Sequence, residues 1–177
     1  MSQLTSRLAE VKDLPALRDL MHRAMKQFLP QFLSSQQVAA SYEIMGVDSR
    51  LVADQTYFMV FCDGRLAGCG GWSRRETLFG GDHTAGRNPR KLNPKHEAAR
   101  VRAMYTDPNF ARKGVGRLIL ELCEQSALSE GFKACELAAT TSGYPLYSAC
   151  GYITVKAWNE STSDGTLVPL TLMEKKL

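Results

Sequence analysis

The stretch Asp107-Pro108-Asn109-Phe110-Ala111-Arg112-Lys113-Gly114-Val115-Gly116-Arg117 places two closely spaced glycines directly ahead of a helical pattern. Residues 98–106 before it have the composition of a strand, and the apolar residues from Leu118 to Leu128 recur at helical spacing until Gly131. Glycine lets a ligand approach the backbone closely, and the first turn of a helix offers unpaired N–H groups at the positive end of the helix dipole. The stretch therefore predicts an anion cradle, for which pyrophosphate is the usual occupant.

Two other phosphate-binding loops do not fit these residues. A dinucleotide fingerprint requires a third glycine where Ile119 stands, and a P-loop requires a Gly-Lys-Ser/Thr sequence that the stretch lacks. Arg112, Lys113 and Arg117 add positive charge around the two glycines. On its own, however, a Gly-x-Gly ahead of a helix favours a turn with only a structural role.

Further motifs follow the loop at a fixed spacing. Gly131-Phe132 precedes Cys135-Glu136-Leu137, and Tyr144-Pro145-Leu146-Tyr147-Ser148-Ala149-Cys150-Gly151-Tyr152 comes next. With Met104-Tyr105-Thr106-Asp107-Pro108 and Ala111-Arg112-Lys113-Gly114-Val115-Gly116, these motifs resemble those of the Gcn5-related N-acetyltransferases over residues 104–152. The resemblance implies the GNAT (acyl-CoA N-acyltransferase) fold, a mixed α/β fold in which helices flank a central, mostly antiparallel sheet, in a single domain over residues 1–177.

The resemblance also implies a reaction and a cofactor. The chain would move an acetyl group from the cosubstrate acetyl-CoA to a primary amine by direct attack, without a metal. The backbone of Met104 and Thr106 would pair with the pantetheine arm, and the loop amides would hold the pyrophosphate. Tyr147 would be catalytic, because it would protonate the leaving thiolate of coenzyme A. The residues expected to bind the cofactor are Met104, Tyr105, Thr106, Ala111, Arg112, Lys113, Gly114, Val115, Gly116 and Arg117.

Two positions depart from the family pattern, and one alternative function stays open. The Gln/Arg position of the family loop falls on Ala111, so any side-chain contact there has to come from Arg112 or Lys113. The asparagine that often follows the later strand falls near Thr140. A non-catalytic acyl-CoA-binding regulator of the same fold would share the donor motifs, whereas Tyr147 favours the enzyme.

The sequence does not identify a general base. Some relatives carry a glutamate early on the strand before the loop, where this chain has Arg100 and Arg102. These arginines share a predicted strand face with Met104, so an acceptor bound there would carry a carboxylate; a surface ion pair is the alternative interpretation. By residue type alone, the candidate bases are Glu76, Asp82, His83, Glu97 and Glu136, and each of them also suits a solvated surface position.

A second group of residues is expected to shape the acceptor site. Trp72, Ser73, Arg74, Arg75 and Phe79 lie where a predicted hairpin meets a long loop, close to the first two helices in our interpretation. We expect the acceptor to be a small-molecule or peptide amine. Fold does not decide its identity, so the candidates are a small amine, an amino acid derivative, an aminoglycoside-like compound and a protein N-terminus.

The rest of the chain reads as alternating short elements. Helices are predicted over residues 11–32, 35–44 and 142–149, and a hairpin over residues 56–72 turns at Asp63-Gly64. Closing strands are predicted over residues 134–139, 153–158 and 168–173. Residues 80–96 read as a long surface loop, either functional or a disordered insertion.

Composition narrows the class of protein. The chain has 177 residues and a net charge of +4, which is well short of the basic bias of a nucleic-acid binder. It has no apolar stretch of the roughly 20 residues that would span a membrane and no signal core in its first residues. The five cysteines lack metal-ligand spacing and predict thiols in a reducing cytoplasm. We therefore expect a cytoplasmic protein without nucleic-acid, membrane or metal partners, and the family resemblance allows a homodimer.

Overall fold

The computed structural model describes residues 3–87 and 89–177. Met1 and Ser2 lie outside the described residues, and so does Asn88, which belongs to the predicted loop. Within them, seven strands form one sheet in the order β1-β2-β3-β4-β5-β7-β6. The β4–β5 pair is parallel, and the other neighbouring pairs are antiparallel. The strands are β1 (Leu4–Leu8), β2 (Tyr57–Cys62), β3 (Arg65–Ser73), β4 (Ala99–Thr106), β5 (Ala134–Ala139), β6 (Ile153–Ser161) and β7 (Leu167–Lys176).

Helices pack on both faces of this sheet. They are α1 (Leu14–Phe28), α2 (Ser35–Ile44), α3 (Ser49–Ala53), α4 (Val115–Ser129) and α5 (Tyr144–Ala149). The apolar stripe of α1, with Leu17 and Leu20 fully buried, belongs to one core cluster. The stripe of α4, with Ile119 and Cys123 fully buried, belongs to the cluster on the opposite face. Each amphipathic helix thus buries its apolar side against the sheet.

The parallel pair β4–β5 is short, and this shapes the site. Its register covers only Ala99 with Cys135 and Arg100 with Glu136. Beyond Arg100 the two strands diverge, so the second half of β4 has a strand neighbour on the β3 side alone. A gap therefore opens in the middle of the sheet.

A β-bulge in β4 lies at the start of this gap. The β3–β4 register shifts between Cys69 and Gly71, and Ala103 has a φ of +51°. The Tyr57 hydroxyl donates to the Ala103 carbonyl at 2.7 Å and fixes the bulge. At Gly70, opposite the bulge, a Cβ would come within 2.7 Å of Met104 Cγ, so a larger residue would displace that strand.

The predicted surface loop between β3 and β4 lies along the body of the protein. Leu92 is buried in the α4 core, and Arg75 and Lys91 form an isolated antiparallel bridge. Arg90 pairs with both Glu76 and Glu97. In its described residues the loop is therefore anchored, which argues against a disordered insertion.

Most predicted elements occur, with two omissions. The sequence did not indicate β1, because four of its five residues are exposed and it pairs with β2 as an edge strand. It also did not indicate α3, which is too short to show a period. Four of the five cysteines are buried thiols, and Cys150 is half-buried. No helix in the described part of the chain has the length and apolar character required to cross a membrane.

Candidate active site

Three connected hollows follow the gap between β4 and β5. The central cavity, of about 190 Å³, lies between α1 and β4 and is lined by Phe28 and Thr106 among others. The loop cleft, of about 630 Å³, continues from Thr106 along the glycine loop. The inner cavity, of about 80 Å³, lies at the other end, between β4, β5 and the β3–β4 loop. Together they form one elongated site that crosses the sheet at the point where its strands diverge.

The glycine loop presents backbone to the loop cleft. Helix α4 begins at Val115, and its N-cap Gly114 has a φ of +82° and makes no side-chain cap. Because a glycine cannot cap, the N–H groups of the first turn have no partner from the cap residue and remain available to a ligand. Arg112 also has a positive φ, of 64°, which tightens the loop ahead of the helix.

The second glycine of the loop has a packing role as well. A Cβ on Gly116 would lie 2.6 Å from Cδ2 of Leu146, which is on α5. A Cβ on Gly114 would find only Leu4 Cδ1, at 4.0 Å, so its positive φ and not crowding requires glycine there. Gly116 therefore allows α5 to approach the loop, and with it Tyr147.

The three basic side chains around the loop differ in what they contact. Arg112 and Arg117 are exposed and line the loop cleft, whereas Lys113 does not line it and places its Nζ over the Phe110 ring at 5.3 Å. The structure thus brings both arginines to the loop cleft and directs Lys113 to the aromatic ring. The cleft combines two exposed cations with oriented N–H groups, as an anionic ligand requires.

Asp107 anchors the loop from the strand side. Its carboxylate, which is 5% exposed, accepts from Arg23 Nη2 at 2.7 Å and from the Asn109 N–H at 2.9 Å. Burial pushes the pKa of Asp107 upward, but the Asn109 N–H and the Arg23 guanidinium outweigh it, so the pKa lies below its ordinary value. The sequence indicated only a strand break here, and the structure adds this fixed charge pair.

The three predicted residues of β4 all line the central cavity. Met104, Tyr105 and Thr106 lie on its wall, and Met104 and Tyr105 continue into the inner cavity. The Tyr105 hydroxyl donates to the Gly46 carbonyl, which ties β4 to the α2–α3 connection. Because β5 has diverged, the edge of this backbone that faces away from β3 lies beside a cavity and not beside a strand.

Tyr147 lies where the central and inner cavities meet, since it lines both. Its ring packs edge-on against Tyr152, with the centroids 6.1 Å apart. Burial raises the pKa of Tyr147, and the nearby Cys123 and Cys150 thiols add to this. The phenol therefore stays protonated at neutral pH, which suits a proton donor.

Thr140 lines the same junction, at the position of the family's asparagine. Its Oγ1 accepts the Gly143 N–H at 3.2 Å and lies 3.2 Å from the Ser142 hydroxyl. A Cβ on Gly143 would lie 2.9 Å from Cε2 of Tyr147, so this glycine makes room for the tyrosine ring. The turn before α5 thus positions Tyr147 by leaving space for its ring at Gly143.

None of the candidate bases lines the central or inner cavity. Glu97 and Glu76 pair with Arg90, whose guanidinium lowers the pKa of Glu97 to about 2. Glu136 pairs with Arg100, in a partly buried ion pair. Asp82 accepts from Ser49, and His83 Nε2 lies 2.6 Å from the Tyr42 carbonyl. Ion pairing and loop packing explain their positions, and the structure places none of them beside Tyr147 in the two cavities.

The two arginines of β4 do not share one role. Arg100 forms the predicted ion pair, with Glu136 across the β4–β5 register. Arg102 is 3% exposed, pairs with Asp48 at 3.2 Å and lines the inner cavity with Met104. No motif marks Asp48, which the fold brings to Arg102.

The hairpin end contributes less to the site than expected. Trp72 is fully buried in the core, Arg74 pairs with Glu130, and Arg75 pairs with Asp54. Ser73 is buried and accepts the Arg75 N–H. Of this group only Phe79 lines the inner cavity. The inner cavity is lined instead by residues that the sequence did not assign to the site, including Met45, Gly46, Leu137 and Leu170. They come from the α2–α3 connection, β5 and β7, where periodicity indicates only a core position.

Comparisons with known proteins agree with this geometry. A family model described as "Acetyltransferase (GNAT) family" matches residues 17–152. Among curated proteins, none matches the chain.

Solved structures are similar over nearly the whole chain. A GCN5-related N-acetyltransferase from Rhodopseudomonas palustris has a TM-score of 0.74 at 16% identity, covering 100% of this chain and 98% of its own. PaiA N-acetyltransferase from Thermoplasma acidophilum, in complex with coenzyme A, has 0.65 at 16% identity, with 99% of each chain covered. YncA from Salmonella typhimurium, a putative acetyltransferase with acetyl-CoA, has 0.64 at 16% identity, covering 98% of this chain and 94% of its own. The predicted fold class is confirmed.

Proposed function

The chain belongs to the acetyltransferase (GNAT) family and is an acyltransferase, and we propose that it moves an acetyl group from acetyl-CoA to a primary amine of a small acceptor. The family resemblance expected from the motifs is thereby confirmed. The observation that carries the proposal is the position of Tyr147 between the central cavity, which shares Thr106 and Leu146 with the loop cleft, and the inner cavity. The predicted cytoplasmic location and homodimer stay predictions.

The donor would occupy the central cavity and the loop cleft. The pyrophosphate would meet the N–H groups of the α4 first turn, and the exposed Arg112 and Arg117 would meet remaining phosphate charge. The pantetheine arm would lie along Met104, Tyr105 and Thr106, which line the central cavity where β5 has diverged from β4. This orientation directs the thioester toward Tyr147.

The chemical step needs one bond formed and one broken. A neutral amine attacks the thioester carbonyl, and the tetrahedral intermediate collapses with release of the coenzyme A thiolate. The Tyr147 hydroxyl, which is protonated at neutral pH, would donate its proton to that sulfur as the intermediate collapses. The amine loses one proton when the amide forms, and this proton returns to the Tyr147 phenolate through solvent, so the reaction ends with an amide, a free thiol and a neutral Tyr147.

The test is a thiol-release assay with acetyl-CoA and a panel of amines. We expect thiol release that depends on the amine and on enzyme concentration, and that yields one acetylated amine per thiol by mass spectrometry. Acetyl-CoA without an amine measures background hydrolysis. Tight acetyl-CoA binding in calorimetry with no amine-dependent release across the panel would favour the non-catalytic regulator and contradict the proposal.

A further inference from the structure

The inner cavity has one charged side chain in an otherwise uncharged wall. Among the described residues that line it, Arg102 is the one that carries a charge, and most of the others are apolar. Tyr147 lines both this cavity and the central cavity. An acceptor that reaches Tyr147 from this side therefore shares a small space with a guanidinium.

The guanidinium of Arg102 has one donor without a partner. Its Nη1 donates to the Thr77 carbonyl at 3.3 Å, and its Nη2 donates to the Gly80 carbonyl and to Asp48 at 3.2 Å. Its Nε is buried and has no hydrogen-bond partner among the described residues. Because a buried donor without an acceptor is unfavourable, a ligand oxygen at this position would be stabilising.

The charge around Arg102 is also incompletely balanced. Arg87 Nη1 lies 2.7 Å from the Asp48 oxygen that Arg102 contacts, and Arg87 Nη2 lies 4.0 Å from Asp82. Asp82 also lies 3.8 Å from Arg18, so three cations meet two carboxylates. The Asp48 side chain is 3% exposed, which keeps water from screening the cluster. Burial lowers the pKa of Arg102, a sign that its charged form lacks full compensation.

Arg100 on the same strand provides a contrast. Its guanidinium pairs with Glu136, one cation to one anion, and it lines none of the three hollows. Its Nε also lacks a partner, but Arg100 lines neither these hollows nor the hollow of about 280 Å³ that Arg102 lines beside Asp48 and Arg87. The combination of excess positive charge, a free donor and a cavity thus belongs to Arg102.

We propose that the acceptor is a small amine that carries a carboxylate, and that Arg102 binds this carboxylate while the amine faces Tyr147. The proposal rests on the acetyl transfer proposed above. The inner cavity, at about 80 Å³, is the smallest of the three hollows, which suits a free small molecule better than an aminoglycoside-like compound. The same cation disfavours an ammonium group nearby, so it favours the neutral amine that attacks.

The first experiment uses the unmodified protein and matched acceptors. We would measure kcat/KM at saturating acetyl-CoA for phenylalanine, phenylalaninamide and phenethylamine, and for the corresponding leucine and 4-aminobutyrate sets. The best free acid is expected to exceed its amide and its decarboxylated partner by roughly ten- to a hundredfold. The amide has the less basic amine, so a preference for the acid does not arise from more neutral amine.

The second experiment compares Arg102→Gln with the matched control Arg100→Gln on the same strand. Arg102→Gln is expected to raise KM for the free acid and to remove the preference over the amide, while KM for acetyl-CoA stays unchanged. Arg100→Gln is expected to keep the preference, because its guanidinium lines no cavity. Arg102→Lys, which keeps the charge, is expected to recover part of the preference.

The outcomes separate the two proposals. Equal turnover of acid, amide and decarboxylated amine in every set, or a preference for peptide N-termini, overturns carboxylate recognition and leaves acetyl transfer intact. Acetyl-CoA binding without turnover of any amine overturns the proposed function and the carboxylate proposal with it. If Arg102→Gln does not fold, the comparison of acceptors in the unmodified protein still decides.

Discussion

The backbone that is expected to hold the donor belongs to one continuous stretch of chain, whereas the acceptor half is assembled from segments that are far apart in the sequence. Residues 104–106, 110–112 and 114–117 line the donor side. The inner cavity takes its wall from the α2–α3 connection, the β3–β4 loop, β4, β5, α5 and β7. The donor side depends on backbone N–H groups that a glycine loop orients, and the acceptor side depends on individual side chains. A local pattern therefore predicts the first and not the second.

Tyr147→Phe removes the group that lies between the two halves, and we expect the largest effect from it. Loss of the proton donor should lower kcat by roughly a hundredfold or more, since positioned acids contribute that much. The affinity for acetyl-CoA should change little, because the ring remains. Steady-state kinetics and calorimetry measure the two quantities.

Tyr144→Phe is the matched control for that substitution. Tyr144 is on the same helix, is exposed, and exchanges a hydrogen bond with Thr154 on β6. Its loss should leave kcat within a factor of about two, since Tyr144 lines none of the three hollows. An equal fall in kcat and in acetyl-CoA affinity for Tyr147→Phe would indicate a packing role and contradict the proposed one.

Gly114→Ala tests whether the donor half depends on backbone geometry. An alanine at φ +82° is strained by about 1–2 kcal/mol, and relief of this strain would rotate the first-turn N–H groups. Acetyl-CoA should bind roughly five- to thirtyfold more weakly in calorimetry, and Arg112→Ala should have a smaller effect because that side chain is exposed.

Gly64→Ala provides the control for strain alone. Gly64 has a φ of +78° in the β2–β3 turn, and a Cβ there would meet nothing within 4 Å. It should lower thermal stability about as much as Gly114→Ala does while acetyl-CoA affinity is kept. A larger loss of affinity for Arg112→Ala than for Gly114→Ala would show that side chains, not the backbone, hold the donor.

The same contrast between one continuous stretch and distant segments explains which features of the fold and the site can be predicted from the sequence. The helical period of α4, the strand β4 and the turn at Gly114 are local and were predictable. The bulge at Ala103 was not, because it depends on the hydroxyl of Tyr57 from another strand. Arg100 and Arg102 both precede the bulge and pair in regular register with Ser73 and Gly71, so alternation assigns them one face and only tertiary packing separates their roles.

The acceptor wall was unpredictable for a related reason. Asp48 reaches Arg102 from the α2–α3 connection, and Leu170 reaches the inner cavity from β7; neither segment carries a motif. The hairpin end was expected to reach it, but Trp72 packs edge-on against Phe132 in the core, with the ring centroids 5.7 Å apart. Hydrophobic burial decides that position more strongly than proximity along the chain.

Asp107→Asn should have the smallest effect, on the stability of the donor loop. The folded pKa of Asp107 lies below its unfolded value near 3.9, so the carboxylate stabilises the fold above that pH and the contribution is lost as pH falls through the folded pKa. Because Arg23 is half exposed, we expect a loss of about 1 kcal/mol at pH 7.

Chemical denaturation from pH 7 to pH 2 checks this dependence. The difference between Asp107→Asn and the unmodified protein should shrink below about pH 4 and vanish at the acid end. Asp19→Asn, at an exposed position on α1, is the control and should give no comparable pH-dependent difference. A difference that is constant across this range would assign the effect to packing and not to the charge.

The most direct test of the central claim is a crystal structure of the protein with acetyl-CoA bound. We expect the pyrophosphate against the backbone N–H groups around Gly114 and Gly116, the pantetheine arm along Met104 and Thr106, and the thioester sulfur within hydrogen-bond distance of the Tyr147 hydroxyl. A pyrophosphate bound away from the glycine loop, or a thioester remote from Tyr147, would contradict the account.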